Sequence, residues 1–518
     1  MTEPIGYTYD ARSGRARWGY QFELPRLRRR SERMMIAIQS PCRGLARCIV
    51  LVVLTVLPGC KRPVDPADSS IQKQPTIPLR VLVLDDEELA AVVKQEWDSR
   101  GGLSRVTNKT SAELLASEPR RLNADVVIYP SGLLGELAER EFIVALDDTT
   151  LSVPGFDRSG LFDLIRMREI AWGDEVLAVP FGSPQLTLFY RKDIFEQLQL
   201  QPPATWKEYQ ALTTRLVDRA AIGALAPPED QLWYATVEPT EGDWASFLLL
   251  ARASAYARHP NQYSTLFDFG SMEPLIAGPP FVRALEELIA AAKQGAPSLS
   301  PTEARRIFLA GQAAMALTWP SRAGDVSAER ASELEEWIGI VELPGAREAY
   351  SLRSDSWEQL QENDSGRATL LAASGRLGSV TDDCRQKQQA IAMLLLLTGE
   401  ELGSTVSVQS KFTTMARTDQ LASASSWVDR ELEGSPARMY AEAVEAAQNR
   451  AAWVDAVRLP GRDKYLTALN GAVDRAIAGD ATAAKALEVS STRWVEITEE
   501  LGSESQRTAY VRNLSLKP

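Results

Sequence analysis

Val176-Leu177-Ala178-Val179-Pro180-Phe181-Gly182-Ser183-Pro184 is followed at once by Gln185-Leu186-Thr187-Leu188-Phe189-Tyr190-Arg191-Lys192-Asp193, and the architecture turns on these two runs. The first run is apolar and strand-like, but proline and glycine interrupt it, and neither belongs in the middle of a regular sheet. It reads as a crossing segment. Extended structure resumes over Leu186 to Asp193, then turns helical from Ile194 to Leu198 before the Pro202-Pro203 break.

Upstream, Leu79-Arg80-Val81-Leu82-Val83-Leu84 is a short β-branched run that stops at Asp85-Asp86, and Glu87 to Ser99 then carries helical spacing through Leu89, Val92, Val93 and Trp97. Ala124 to Tyr129 repeats the strand, Pro130-Ser131-Gly132 ends it, and Leu133 to Glu139 opens another helix. This alternation predicts α/β units around a mostly parallel sheet. Downstream, Thr205-Trp206-Lys207-Glu208 has the spacing of a capping box for a helix over Tyr209 to Val217. Helices are predicted over Trp244 to Tyr256, Pro280 to Lys293 and Pro301 to Leu309.

The N-terminal part reads differently. Arg28, Arg29, Arg30, Arg33, Arg43 and Arg47 precede the apolar run Cys48 to Leu57, and Leu57-Pro58-Gly59-Cys60 closes it, the order of an export signal ending in a lipoprotein processing site. A membrane span needs roughly 20 apolar residues, about twice this run. Residues 1–59 are therefore expected to be a signal peptide whose true start is Met34 or Met35. Cys60 is the expected lipidated residue, and residues 60–76 read as a polar tether on the membrane.

The whole chain carries 57 Lys and Arg against 69 Asp and Glu; ten Arg and four acidic residues fall before position 61, leaving 47 against 65 and a formal charge near −18. That balance opposes nucleic-acid binding, which needs clustered cations. Cys384 is the one cysteine beyond Cys60, so no internal disulfide is expected, and its acidic neighbours Asp382 and Asp383 make it a poor nucleophile. His259 is the sole histidine and lies in a loop-like stretch, which removes multi-histidine zinc sites from consideration and leaves a Ser-His-Asp triad only that residue to use. No Walker loop or dinucleotide fingerprint occurs. No cofactor or metal site is expected.

The order of several segments resembles the bacterial extracellular solute-binding proteins of family 1, the maltose-type binding lipoproteins of ABC importers. Ala124 to Asp148, Ala178 to Asp193, Pro202 to Tyr209, Phe308 to Leu317 and Gly339 to Gly345 carry the likeness. The resemblance implies an α/β, two-lobed, periplasmic-binding-protein-like clamshell with multiple interlobe crossings. It places lobe one at 77–182 plus 339–410 and lobe two at 183–338 plus 411–518. The implied function is capture of a small polar solute, a sugar or oligosaccharide foremost, by lobe closure, and delivery to the transmembrane subunits of an ABC permease by a monomeric, non-enzymatic protein outside the cytoplasm.

Solute contacts are expected outside the carboxyl ends of strands. Tyr129 and Ser131 stand at one such end, and Ser183 and Gln185 lie on the crossing. The resemblance implies a stacking role for Trp319 and places Trp244, after Asp243, at a second aromatic position. Arg322, Arg462 and Tyr465 complete the polar set, and Gly375 offers a close backbone approach. The family often has a carboxylate just past the crossing; Pro184-Gln185 stands here instead, which argues against maltodextrin itself. Two alternatives are an orphan sensor docking on a receptor kinase and an exported hydrolase using carboxylates such as Asp85 and Asp86.

Overall fold

A computed structural model of the chain describes residues 77–117, 119–296, 298–324 and 336–516. The leader, Cys60 and the tether lie outside these residues. The described residues all belong to one compact unit, Lys73–Pro518.

Two sheets organise it. In the first, Ser104–Lys109, Leu79–Leu84 and Val126–Pro130 run parallel, and Arg376–Val380 lies antiparallel between Val126–Pro130 and Val179–Gly182. In the second, the order is Ile338–Glu342, Thr187–Arg191, Ala313–Thr318, Tyr234–Val237; the first three alternate direction and the last two run parallel. The sheets are thus mixed rather than mostly parallel. Strands that arrive by a direct crossing, such as Thr187–Arg191 and Arg376–Val380, enter against their neighbours because no helix returns the chain to the starting edge.

Local sequence explains the framework elements. The buried strand Leu79–Leu84 feeds the helix Glu87–Ser99, whose N-cap Asp86 accepts from Leu89 N at 3.0 Å. Thr205 and Glu208 form the expected capping box at the head of Trp206–Leu216, and Ser300 with Glu303 forms another ahead of Pro301–Leu309. The helix Trp244–Ala257 is buried on nearly every face, as a helix apolar all round must be. Its one strong charge, Arg252, is paired with Glu238 at 2.7 Å.

Connections run between the sheets at 183–186, between Glu342 and Arg376, and from Ser410 to Gly434. Near the second of these, Thr369–Leu371 pairs in parallel with Trp453–Asp455. The expected lobe boundary at 339 falls inside Ile338–Glu342, which pairs with Thr187–Arg191 in the second sheet. The hairpin Glu348–Ser351/Ser356–Gln359 and the C-terminal helices Arg462–Ala478, Ala483–Leu501 and Ser503–Asn513 complete the body. No helix among the described residues is long and apolar enough to cross a membrane.

Candidate functional site

The site is assembled from strand ends. Tyr234–Val237 and Ala313–Thr318 are parallel neighbours, and the chain leaves them toward Trp244 and Trp319 respectively. The two indole rings meet with centroids 5.0 Å apart at 43°. Trp319 is 4% exposed, and its Nε1 donates to the carbonyl of Lys411 at 3.2 Å. Trp244 is half-buried and rests edge-on against Phe247. Each indole keeps an apolar face for packing and a polar tip that needs a partner.

From the first sheet, the corresponding ends supply Asp85-Asp86 and Ser131-Gly132. Asp86 is buried, ion-paired with Arg376 at 3.1 Å, and accepts from the Ser410 hydroxyl. Arg376 also donates to the carbonyls of Asp85 and Gly375 and lies over the Phe412 ring at 4.3 Å. Arg462, at the first turn of Arg462–Ala478, reaches toward Gly132 and stands 3.9 Å from Asp243. A chain of contacts therefore links the carboxyl edges of both sheets: Asp86, Arg376, Phe412, Lys411, Trp319, Trp244 on one side and Gly132, Arg462, Asp243 on the other.

Trp244 also lines a narrow crevice together with Pro184, Gln185, Leu343, Pro344 and Ala373 among others. Its volume, about 50 Å³, is room for water molecules and too little for a sugar ring.

Of the residues proposed from sequence, Trp244 and Gln185 line this crevice; Trp319 packs on Trp244 outside that lining, and Asp243 precedes Trp244 in the chain. Arg322 faces outward, paired with Glu433 and the Ser425 carbonyl. Tyr129 and Tyr465 do not reach the crevice. Tyr129 is wholly buried in its sheet and bonded to Ser379 at 2.7 Å, and burial pushes its phenol pKa up. Tyr465 packs on Phe267 and Trp494 and bonds Thr498.

Ser131, Ser183 and Gly375 form a separate buried joint. Ser131 N donates to Gly375 O at 3.1 Å, and the Ser131 hydroxyl donates to Ser374 O. The space beside Gly375 is filled by Ser183, whose Oγ sits 2.1 Å from where a Cβ would be; no room is left there for a solute. The Ser183 hydroxyl donates to Glu169, a fully buried carboxyl whose other oxygen has no partner among the described residues. Burial raises the Glu169 pKa, against the pull of Ser183 and Arg458. Arg458 in turn donates to the backbone carbonyls of Arg168, Glu169 and Ala171.

Glu169, Arg376, Lys411 and Phe412 carry no signal in the sequence. Each stands alone in unremarkable surroundings, and only the tertiary fold brings it to its partners. The carboxylates considered for hydrolysis are otherwise engaged: Asp86 caps a helix and pairs with Arg376, and Asp85 Oδ1 accepts from Ser111 N at 3.0 Å. Cys384 is buried, and burial raises its thiol pKa. No cluster of metal-ligating side chains occurs among the described residues.

Comparison with known proteins agrees with this geometry. Residues 122–359 match the model of the family described as bacterial extracellular solute-binding protein. A comparison with curated proteins finds no match. Among solved structures, the sugar-binding protein MalE of Xanthomonas citri is 16% identical with a TM-score of 0.60, covering 82% of this chain and 98% of its own. An ABC transporter solute-binding protein from Agrobacterium radiobacter K84, in complex with ribitol, is 16% identical with a TM-score of 0.59, covering 81% of this chain and 98% of that one. An ABC substrate-binding protein from Listeria monocytogenes, in complex with cycloalternan, is 14% identical with a TM-score of 0.57, covering 81% and 98%. At such identities the likeness speaks to the fold. Residues 122–359 thus match the model of the bacterial extracellular solute-binding proteins, and the chain shares their two-lobed α/β fold.

Proposed function

We propose that this protein captures a small polyhydroxylated solute, a sugar or sugar alcohol, in the crevice between its two sheets and hands it to an ABC permease. The observation that carries the reading is the Trp244–Trp319 pair, set at the ends of adjacent parallel strands with Asp243, Arg462 and Gln185 nearby. Sugars present flat C–H faces to aromatic rings and hydroxyls to charged groups, and this lining has both. The structural relatives named with ribitol and cycloalternan support that chemical class.

In this reading the solute separates the two indoles, takes the space between them, and bridges both sheets. It thereby stabilises the closed arrangement by its differential affinity for it. Gln185 in place of a carboxylate suits a neutral hydroxyl, since an amide both donates and accepts. Cys60, acylated, holds the body at the outer face of a membrane, within reach of the permease.

Titration calorimetry and tryptophan fluorescence of the purified protein against ribitol, D-mannitol, maltose and larger oligosaccharides test the proposal. Saturable binding with an emission shift supports it. Absence of binding across the panel removes the sugar reading.

A further inference from the structure

Trp319 is held from behind by charges that never touch the crevice. Arg305, on Pro301–Leu309, is 1% exposed and Asp429 is wholly buried, and the two pair at 3.0 Å. Arg305 Nη1 donates to the Trp319 carbonyl at 2.7 Å, while the second oxygen of Asp429 accepts from Ser321 N at 3.0 Å. The pair therefore grips the chain on both sides of Pro320. The same connection that carries Asp429 also provides Lys411, whose carbonyl holds the Trp319 indole nitrogen. It grips the following residue too: Arg322 N donates to Trp427 O and the Arg322 guanidinium to Ser425 O.

Trp319 is thus seated by two parts of one interlobe connection, 411 at its ring and 429 at its backbone. A backbone carbonyl and a backbone N–H are neutral groups. Satisfying them needs no ion pair, and an apolar replacement of a buried pair is often no less stable. What the pair adds is direction: a guanidinium fork and a two-oxygen carboxylate hold donor and acceptor at fixed angles.

We propose that Arg305 and Asp429 are positioning residues for solute binding: the buried pair sets the orientation of Trp319 toward Trp244 and toward the solute. The proposal rests on Trp319 being a solute contact. Its consequence is that the pair acts on affinity only through that ring.

The test is a cycle on the full chain. Asp429→Asn is made alone and with Trp319→Ala, and binding of ribitol, D-mannitol and maltose is measured by calorimetry. The expected result is about tenfold weaker binding in the native background and less than twofold in the Trp319→Ala background, as coupled sites require. Equal weakening in both backgrounds, or none in either, overturns the proposal. The exciton signal of the Trp244–Trp319 pair in circular dichroism is read in parallel, because it is independent of any solute. Its loss in Asp429→Asn, with cooperative unfolding retained, supports the positioning role even if no probe binds; its retention overturns it. Arg305→Met with Asp429→Leu, which removes both charges of the pair, is the variant to use should Asp429→Asn not fold, with the same two outcomes.

Discussion

Gly375→Ala probes the buried joint where Ser183 packs against Gly375. Gly375 has φ +134°, a conformation that L side chains rarely adopt, and a new Cβ there meets Ser183 Oγ at 2.1 Å, its Cβ at 2.9 Å and its Cα at 3.0 Å. The backbone strain amounts to about 1–3 kcal/mol. The clash adds about 1–3 kcal/mol, because the nearest atoms belong to a short side chain already committed to Glu169 and to backbone that cannot rotate away. The total expected loss of stability is about 4 kcal/mol. Gly479→Ala serves as the reference: Gly479 has φ +81° and nothing within 4 Å of the added methyl, so only the backbone part applies. Urea denaturation followed by tryptophan fluorescence measures both. Gly375→Ala is expected to lose about 2 kcal/mol more than Gly479→Ala, and to weaken solute binding because it displaces the crossing that carries Gln185. Equal losses in the two variants would falsify the close packing of the two crossings.

Three further outcomes are expected. Trp319→Ala weakens sugar binding about tenfold or more while the protein still unfolds cooperatively, in line with the loss of an aromatic anchor; calorimetry against the solute panel checks it, and undiminished affinity takes Trp319 out of the site. Glu169 has its pKa raised in the folded protein, so the stability it contributes is present below its ordinary value near 4.5 and declines as pH rises through the folded value. Glu169→Gln should flatten that decline in urea midpoints measured between about pH 4.5 and 8; a parallel pair of curves counts against the buried acid. Cys60→Ser should release the protein from the membrane fraction into the soluble fraction, and a protein that stays bound to membrane leaves no role for acylation there.

Several features are legible in the amino-acid sequence because their causes are local. The strand Leu79–Leu84, the helix Glu87–Ser99, the Thr205 capping box and the crossing at Pro180 to Pro184 follow from side-chain periodicity, cap chemistry and the limits on proline and glycine. The positions of Trp244 and Trp319 are implied by the resemblance to the binding-protein family and not by periodicity. Sequence misleads where a residue type fits two environments. Tyr129 and Tyr465 have the polar tip of a ligand contact and the bulk of a core residue, and their neighbours Ser379 and Thr498, distant in sequence, make them core. Gly375 does mark a close approach to the backbone, but the group that approaches is Ser183.

Composition and local pattern suffice for an acidic body with one thiol past Cys60, a single histidine, α/β alternation and a chain that crosses between sheets. Which residues face each other follows from the folded chain alone. Asp86 with Arg376 and Ser410, Glu169 with Ser183, and Arg305 with Asp429 and Trp319 are each separated in the chain by between 14 and 324 residues where a hydrogen bond joins them. Such partners carry no periodic signature, because burial of a charge constrains only that a partner be present, not where along the chain it comes from.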